Sequence, residues 1–148
     1  MLITGATGFV GSALINELLA HNYLVSTTVR DNASFVPMGV TRFDVGDLTA
    51  DIDWFSILNG IDVIIHTAAR VHMMDDSVIE PIKAFRKVNV DATLNLARQA
   101  AEVGAKRFIF ISSIKVNGER TLQGQSFNSD DNSVPSDPYG LSKYEAEQ

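Results

Sequence analysis

The 148-residue chain contains no cysteine, which excludes disulfides, thiolate catalysis and cysteine zinc sites while barely constraining the compartment. Its three histidines are scattered and show no ligand spacing, so no metal is expected. No run approaches the ~18–20 apolar residues that span a bilayer, so no membrane partner is expected. Cations are outnumbered: 12 Lys and Arg against 18 Asp and Glu give a formal charge of −6, which leaves no basic surface for nucleic acid. An anionic cofactor is still compatible with that charge, because backbone amides and one local cation suffice for a phosphate. The N-terminus enters an apolar run with no charged leader or cleavage site, which reads as cytoplasmic.

Hydrophobic residues at 45% and charged residues at 20% fit one globular domain with a well-buried core. Residues 1–4 read as a strand, and 9–20 as a helix with Val10, Leu14 and Leu18 on its apolar face. Strands follow over 24–29 and 40–45, then a short helix over 54–58 closed by Asn59-Gly60. Residues 62–67 form a strand whose Val63-Ile64-Ile65 run suits burial on both faces. A long helix over about 78–103 carries the stripe Ile82, Phe85, Ala92, Leu96 and Val103 and stops at Gly104. Residues 107–111 give a fifth strand, and 115–136 are polar and too long for a simple connector. A last helix begins near Pro138. This alternation predicts an α/β fold with a doubly wound parallel sheet in the order 3-2-1-4-5, its ligand crevice at the carboxyl ends of the strands. Gln148 falls about ten residues into the last helix with no stop signal, so a chain cut before a further region is expected.

Thr4-Gly5-Ala6-Thr7-Gly8-Phe9-Val10-Gly11 places three glycines between the first strand and the first helix. Gly5 allows the tight turn, Gly8 lets the backbone approach a pyrophosphate, and Gly11 brings helix and sheet close. With the helix N-terminus supplying free amides, Gly5, Thr7, Gly8, Phe9, Val10 and Gly11 are candidate cofactor contacts in a Rossmann-type site. The alternative, a merely flexible turn, lacks the strand and helix found on both sides. At the end of strand two, Arg30 precedes Asp31 in Thr28-Val29-Arg30-Asp31. An arginine there pairs with a 2′-phosphate and favours NADP, while the aspartate would serve NAD. Asp47 after strand three is a candidate for an adenine amino group, with Leu48 on the ring; an aspartate in a turn is the plainer reading.

Tyr139 and Lys143 lie four residues apart where the last helix begins, so they share a face. A neighbouring ammonium favours a tyrosinate, which can take a proton from a hydroxyl and return it to a carbonyl. Such a pair also occurs by chance on helix surfaces. Ser112 and Ser113 follow strand five at the carboxyl edge, where a hydroxyl can bond the reacting oxygen.

A glycine loop at the first turn, serine after strand five and Tyr-Gly-Leu-Ser-Lys some twenty-five residues later resemble the extended short-chain dehydrogenase/reductase family, in particular its nucleotide-sugar epimerases and 4-ketosugar reductases. The resemblance covers nearly the whole chain and includes His66-Thr67-Ala68-Ala69 and Asn89. It implies Ser113, Tyr139 and Lys143 as the catalytic set, Ser113 rather than Ser112 because it lies five residues before Gly118. It further implies Ala68, Ala69 and Lys143 as cofactor contacts and Asn89 as support behind the site. NADP or NAD would be the cofactor and a nucleotide sugar the substrate, with a homodimer through the long helix and the Tyr/Lys helix. Residues 1–148 would then be a dinucleotide-binding domain without the C-terminal region that grips the sugar, able to bind cofactor but turning over little. Ile114 and Lys115 stand where dehydratases of the family carry an acid, which disfavours loss of water. The resemblance leaves epimerase and reductase open. An NADP carbonyl reductase of dihydroflavonol-reductase type and a noncatalytic dinucleotide-binding protein are the other readings.

Overall fold

The computed structural model describes residues 1–31, 34–71, 80–131 and 133–148. Strand side chains alternate faces, so in β1 (Leu2–Thr4) Leu2 and Ile3 enter two different cores. Ile64 and Ile65 do the same in β4 (Val63–His66), which explains its unbroken apolar run. β2 (Val25–Val29) and β3 (Val40–Asp44) extend the sheet on one side, and β5 (Arg107–Phe110) on the other. Every pairing is parallel and the order is β3-β2-β1-β4-β5, the predicted Rossmann-type winding. All five carboxyl ends therefore lie along one edge.

One core gathers Leu2, Trp54, Leu58, Ile64, Leu96 and Ala100 beneath α2 (Phe55–Leu58) and α4 (Ala92–Glu102). The other gathers Ile3, Ala6, Ile15, Val25 and Ile65 beneath α1 (Phe9–Ala20). The face of α1 differs from expectation. Val10 is 50% exposed, and the buried positions are Gly11 and Ile15. Gly11 presses the helix onto the end of β1, which turns the contact line one residue past Val10; Leu14 and Leu18 flank it, half-buried.

The long helix is not regular. It comprises α3 (Pro81–Arg86), a π turn (Lys87–Asp91) and α4; positions 78 and 79 lie outside the described residues, as does the His72-Met73-Met74 segment. Phe85, Ala92 and Leu96 are buried as expected, but Ala100 rather than Val103 continues the stripe. Val103 is already the C-cap, and Gly104 (φ 78) follows with paired bonds from Gly104 N to Ala101 O and from Ala105 N to Ala100 O. Asn22 (φ 60) closes α1 in the same way. The last helix, α5, runs Pro138–Glu147. Among the described residues no helix is long and apolar enough to cross a membrane.

Candidate active site

The three glycines of the first turn divide by what surrounds them. Gly5 holds φ 74, and a Cβ there would lie 2.6 Å from Ala68 N. A Cβ on Gly11 would lie 2.2 Å from Gly5 O. Protein alone therefore demands glycine at both positions. Gly8 is different: its φ of −79 is open to any residue, and its nearest neighbour would be Gly5 O at 3.3 Å. Gly8 caps α1 without a side-chain hydrogen bond, so the first-turn amides of Phe9, Val10 and Gly11 have no partner a turn back. Thr7 precedes them in the turn and is exposed, and the Phe9 side chain is 93% exposed. A bare backbone cradle at the positive end of a helix fits a dinucleotide pyrophosphate.

The end of β4 is tied to this loop. Thr67 Oγ1 donates to Thr4 O at 2.6 Å, and Ala68 N donates to Thr4 Oγ1 at 3.3 Å, which sets Ala68 against Gly5 with Ala69 following. His66 is 1% exposed, with Nδ1 2.7 Å from Thr4 Oγ1 and Nε2 2.9 Å from Thr93 Oγ1. Its ring neighbours those of Phe108 and Phe110, with centroids 6.1 Å away in each case. Burial, and then the charge of Lys143, push its pKa down to about 3, so it is neutral at pH 7. In the sequence, His66 marks only the end of the strand over 62–67. Its link to Thr4 becomes visible only through the register that sets the two opposite each other.

Asp137 caps α5: its Oδ1 accepts from Gly140 N at 3.0 Å, and Pro138 takes the first helical position. Tyr139 meets Phe85 edge-on, with ring centroids 6.3 Å apart. Lys143, one turn on, is 2% exposed, with Nζ 4.0 Å from the Phe110 ring centroid. Burial lowers its pKa to about 8, against an opposing pull from Glu147. Asn89, inside the π turn, accepts from Arg70 N at 2.8 Å and donates to Arg70 O and to Ser142 Oγ. Ser142 Oγ in turn donates to Tyr139 O at 2.7 Å, so the loop after β4 is bonded through Asn89 to the tyrosine-bearing turn. Arg86 of α3 holds α5 from outside through two hydrogen bonds to Glu145.

Ser113 ends the segment after β5 and caps a 3₁₀ turn over Ile114–Val116, its Oγ accepting from Lys115 N at 3.3 Å. Ser112 Oγ is buried with no partner among the described residues. Lys115, read from sequence only as a missing acid, places Nζ 2.9 Å from Asp137 Oδ2. Lys115, Asp137 and Gly140 thus join the serine turn to α5, and no local sequence signal marks them as partners.

At the far end of the edge, Arg30 is exposed, with no hydrogen bond or ion pair among the described residues. Asp31 Oδ1 accepts from both N and Oγ of Ser34 within its own turn, and Arg42 Nη2 donates to Asp31 O. Asp47 is exposed, while Leu48 packs against the Trp54 core.

Fold and edge together define a Rossmann-type α/β domain. The family model for the NAD dependent epimerase/dehydratase family matches residues 1–148, and the chain belongs to that family. It is 50% identical to a UDP-glucose 4-epimerase of Vibrio cholerae over 100% of this chain and 45% of that protein. A 3-beta-hydroxysteroid dehydrogenase of Mycolicibacterium neoaurum is 32% identical over 82% of this chain and 36% of its own. Among solved structures, the Thermus thermophilus UDP-glucose 4-epimerase complex with NAD superposes with a TM-score of 0.83 at 27% identity, covering 99% of this chain and 48% of that one. The chain thus spans under half the length of these relatives.

Proposed function

We propose that this chain is the cofactor-binding half of a nucleotide-sugar enzyme acting at C4, a 4-epimerase or a 4-ketosugar reductase. The carrying observation is the pairing, on one capped helix, of Tyr139 with the buried cation Lys143, next to the turn that bears Ser113. Identity of 50% to the Vibrio UDP-glucose 4-epimerase along the whole chain supports the sugar substrate. When bound, the dinucleotide supplies reversible acceptance of a hydride from the sugar carbon. Tyr139 Oη takes the proton of the C4 hydroxyl, with Lys143 one helical turn away, and Ser113 Oγ hydrogen-bonds the same oxygen. In the return direction the Tyr139 phenol gives that proton back as the carbonyl is reduced. An epimerase would show no net cofactor consumption, whereas a reductase would use one cofactor per turnover.

Gly5, Thr7, Gly8, Phe9, Val10 and Gly11 would hold the pyrophosphate, with Ala68, Ala69 and Lys143 toward the nicotinamide side and Asp47 and Leu48 at the adenine. Arg30 supports NADP, because Asp31 spends Oδ1 on Ser34; NAD in the Thermus relative supports the other cofactor. Titrating both into wild type and Arg30→Ala separates them: an unchanged NADP affinity in the variant removes Arg30 from the site. A homodimer through the long helix and α5 belongs to the same proposal.

Product analysis with UDP-hexoses, UDP-N-acetylhexosamines and 4-keto-6-deoxy sugars, on the natural protein carrying this sequence, tests the reading. Tyr139→Phe should lower turnover by about 10²–10⁴-fold while dinucleotide affinity holds. An active Tyr139→Phe protein would sink the mechanism. Residues 1–148 alone should bind dinucleotide and turn over little; robust sugar turnover by them would refute that expectation. Turnover of sterol or other carbonyl compounds but of no sugar would favour the dehydrogenase reading that the Mycolicibacterium relative supports.

A further inference from the structure

We infer that Lys115 is a positioning residue: its ion pair with the helix cap Asp137 fixes the spacing and helical phase between Ser113 and Tyr139. The inference rests on the catalytic roles proposed above. Lys115 touches Ser113 and the cap of the helix that carries Tyr139. Its backbone N donates to Ser113 Oγ at 3.3 Å, which orients that hydroxyl. Its ammonium reaches Asp137 Oδ2 at 2.9 Å, while Asp137 Oδ1 accepts from Gly140 N. Tyr139 lies between the cap and Gly140, so the carboxylate that starts the helix also sets the direction of the tyrosine. The stem of Lys115 is seated as well. A Cβ on Gly140 would stand 3.2 Å from Lys115 Cβ, 2.8 Å from Pro135 Cβ and 2.6 Å from Asp137 Oδ2. Glycine at 140 thus admits the lysine and the cap side by side.

Charge agrees with the geometry. The pKa of Lys115 is raised, first by the Asp137 carboxylate 2.9 Å from its ammonium and to a smaller extent by Glu119 and Tyr139. That of Asp137 is lowered: burial alone would raise it, but the Gly140 amide and the Lys115 ammonium outweigh burial. Both side chains remain partly exposed, at 39% and 30%, and pairs of that kind add little to stability. The pair's effect should therefore fall on alignment, where a misplacement of about 1 Å can cost roughly 10²-fold in rate.

The test uses Lys115→Met, Lys115→Arg, Asp137→Asn and the Lys115→Met/Asp137→Asn double variant in the natural protein carrying this sequence. Asn at 137 keeps the cap acceptor for Gly140 but loses the charge, so it separates capping from pairing. We expect Lys115→Met and Asp137→Asn each to lower kcat about tenfold or more, with KM, dinucleotide Kd and melting temperature near wild type. Lys115→Arg should restore most of the rate, and the double variant should be no slower than the worse single one. Wild-type kcat in Lys115→Met, additive losses, or a loss of dinucleotide affinity and stability that matches the fall in kcat would overturn the inference. If Tyr139→Phe remains active, the catalytic reading fails instead; if Tyr139→Phe is dead and Lys115→Met is normal, only the positioning role fails.

Discussion

Alanine at Gly8 and alanine at Gly11 should produce opposite defects, although both glycines belong to one motif. At Gly11 the added Cβ would sit 2.2 Å from Gly5 O, a backbone atom, so α1 must retreat by about 1 Å from the end of β1. Overpacking of this kind costs about 1–3 kcal/mol, and the upper end applies where neither side is a flexible side chain. Better helix propensity returns about 1 kcal/mol, which leaves a net loss of about 2 kcal/mol. For a domain of this size, that lowers the melting temperature by about 4–8 °C.

At Gly8 the backbone is already in an ordinary extended conformation, and the new Cβ meets only Gly5 O at 3.3 Å. The poorer cap and tight contact are offset by lost freedom in the unfolded chain, so stability should stay within about 1 kcal/mol. The methyl would instead stand where a pyrophosphate approaches the free amides. A clash of about 1–3 kcal/mol there weakens dinucleotide binding roughly ten- to a hundredfold. Urea denaturation and calorimetric titration of NAD and NADP, run on both variants, read the two effects separately. A Gly8→Ala chain that binds as tightly as wild type would refute the cradle. A Gly11→Ala chain as stable as wild type would refute the account of helix packing.

His66 has a folded pKa of about 3 against an ordinary 6.5, so the stability from its neutral ring is complete above pH 6.5 and is lost as pH falls toward 3. By pH 4.5 about 3 kcal/mol should be gone, and the gap in unfolding free energy between wild type and His66→Gln should shrink by that amount; a constant gap would show that His66 is not buried neutral. Lys143 has a folded pKa of about 8 against 10.5, so the fold is penalised for holding the proton below pH 8 and recovers as pH rises toward 10.5. Lys143→Met should therefore gain about 1–3 kcal/mol at pH 7 in urea denaturation while turnover is lost, and an unstable variant would contradict the buried-cation account. Asn89→Leu leaves Arg70 N and Ser142 Oγ without their partner and should cost about 2–4 kcal/mol; a loss below 1 kcal/mol, measured the same way, would mean that water replaces the amide.

What could be read from the chain was local. The glycine loop, the β-branched strands, the Gly104 stop and the spacing of Tyr139 and Lys143 each depend on neighbours within one turn or one strand. The parallel order followed from the alternation of strands and helices, because right-handed crossovers leave few ways to connect them. The misses are contacts between distant positions. His66 finds Thr4 sixty-two residues away, and Asn89 finds Ser142 across fifty-three. Lys115 stands in the sequence only as a residue where dehydratases carry an acid, and nothing near it points to its partner Asp137. The π turn over Lys87–Asp91 had no signature either: its residues are ordinary for a helix, and tertiary bonds from Asn89 accompany the extra residue.

The carboxyl edge nonetheless carries a pattern that was present in the sequence. On the three strands nearest the crevice, β1, β4 and β5, apolar residues give way at the exit to polar ones: Thr4, His66-Thr67 and Ser112-Ser113. In β2 and β3 the exits are Val29-Arg30 and Asp44-Val45, with charge rather than hydroxyl. Thr4 and Thr67 spend their hydroxyls on joining strand ends, whereas after β5 the Ser113 oxygen accepts only from Lys115 N within its own turn and the Ser112 oxygen has no partner among the described residues. A hydroxyl that joins no second strand is one that can be spent on a ligand, and by that argument the two serines after β5 are marked out from the threonines that resemble them.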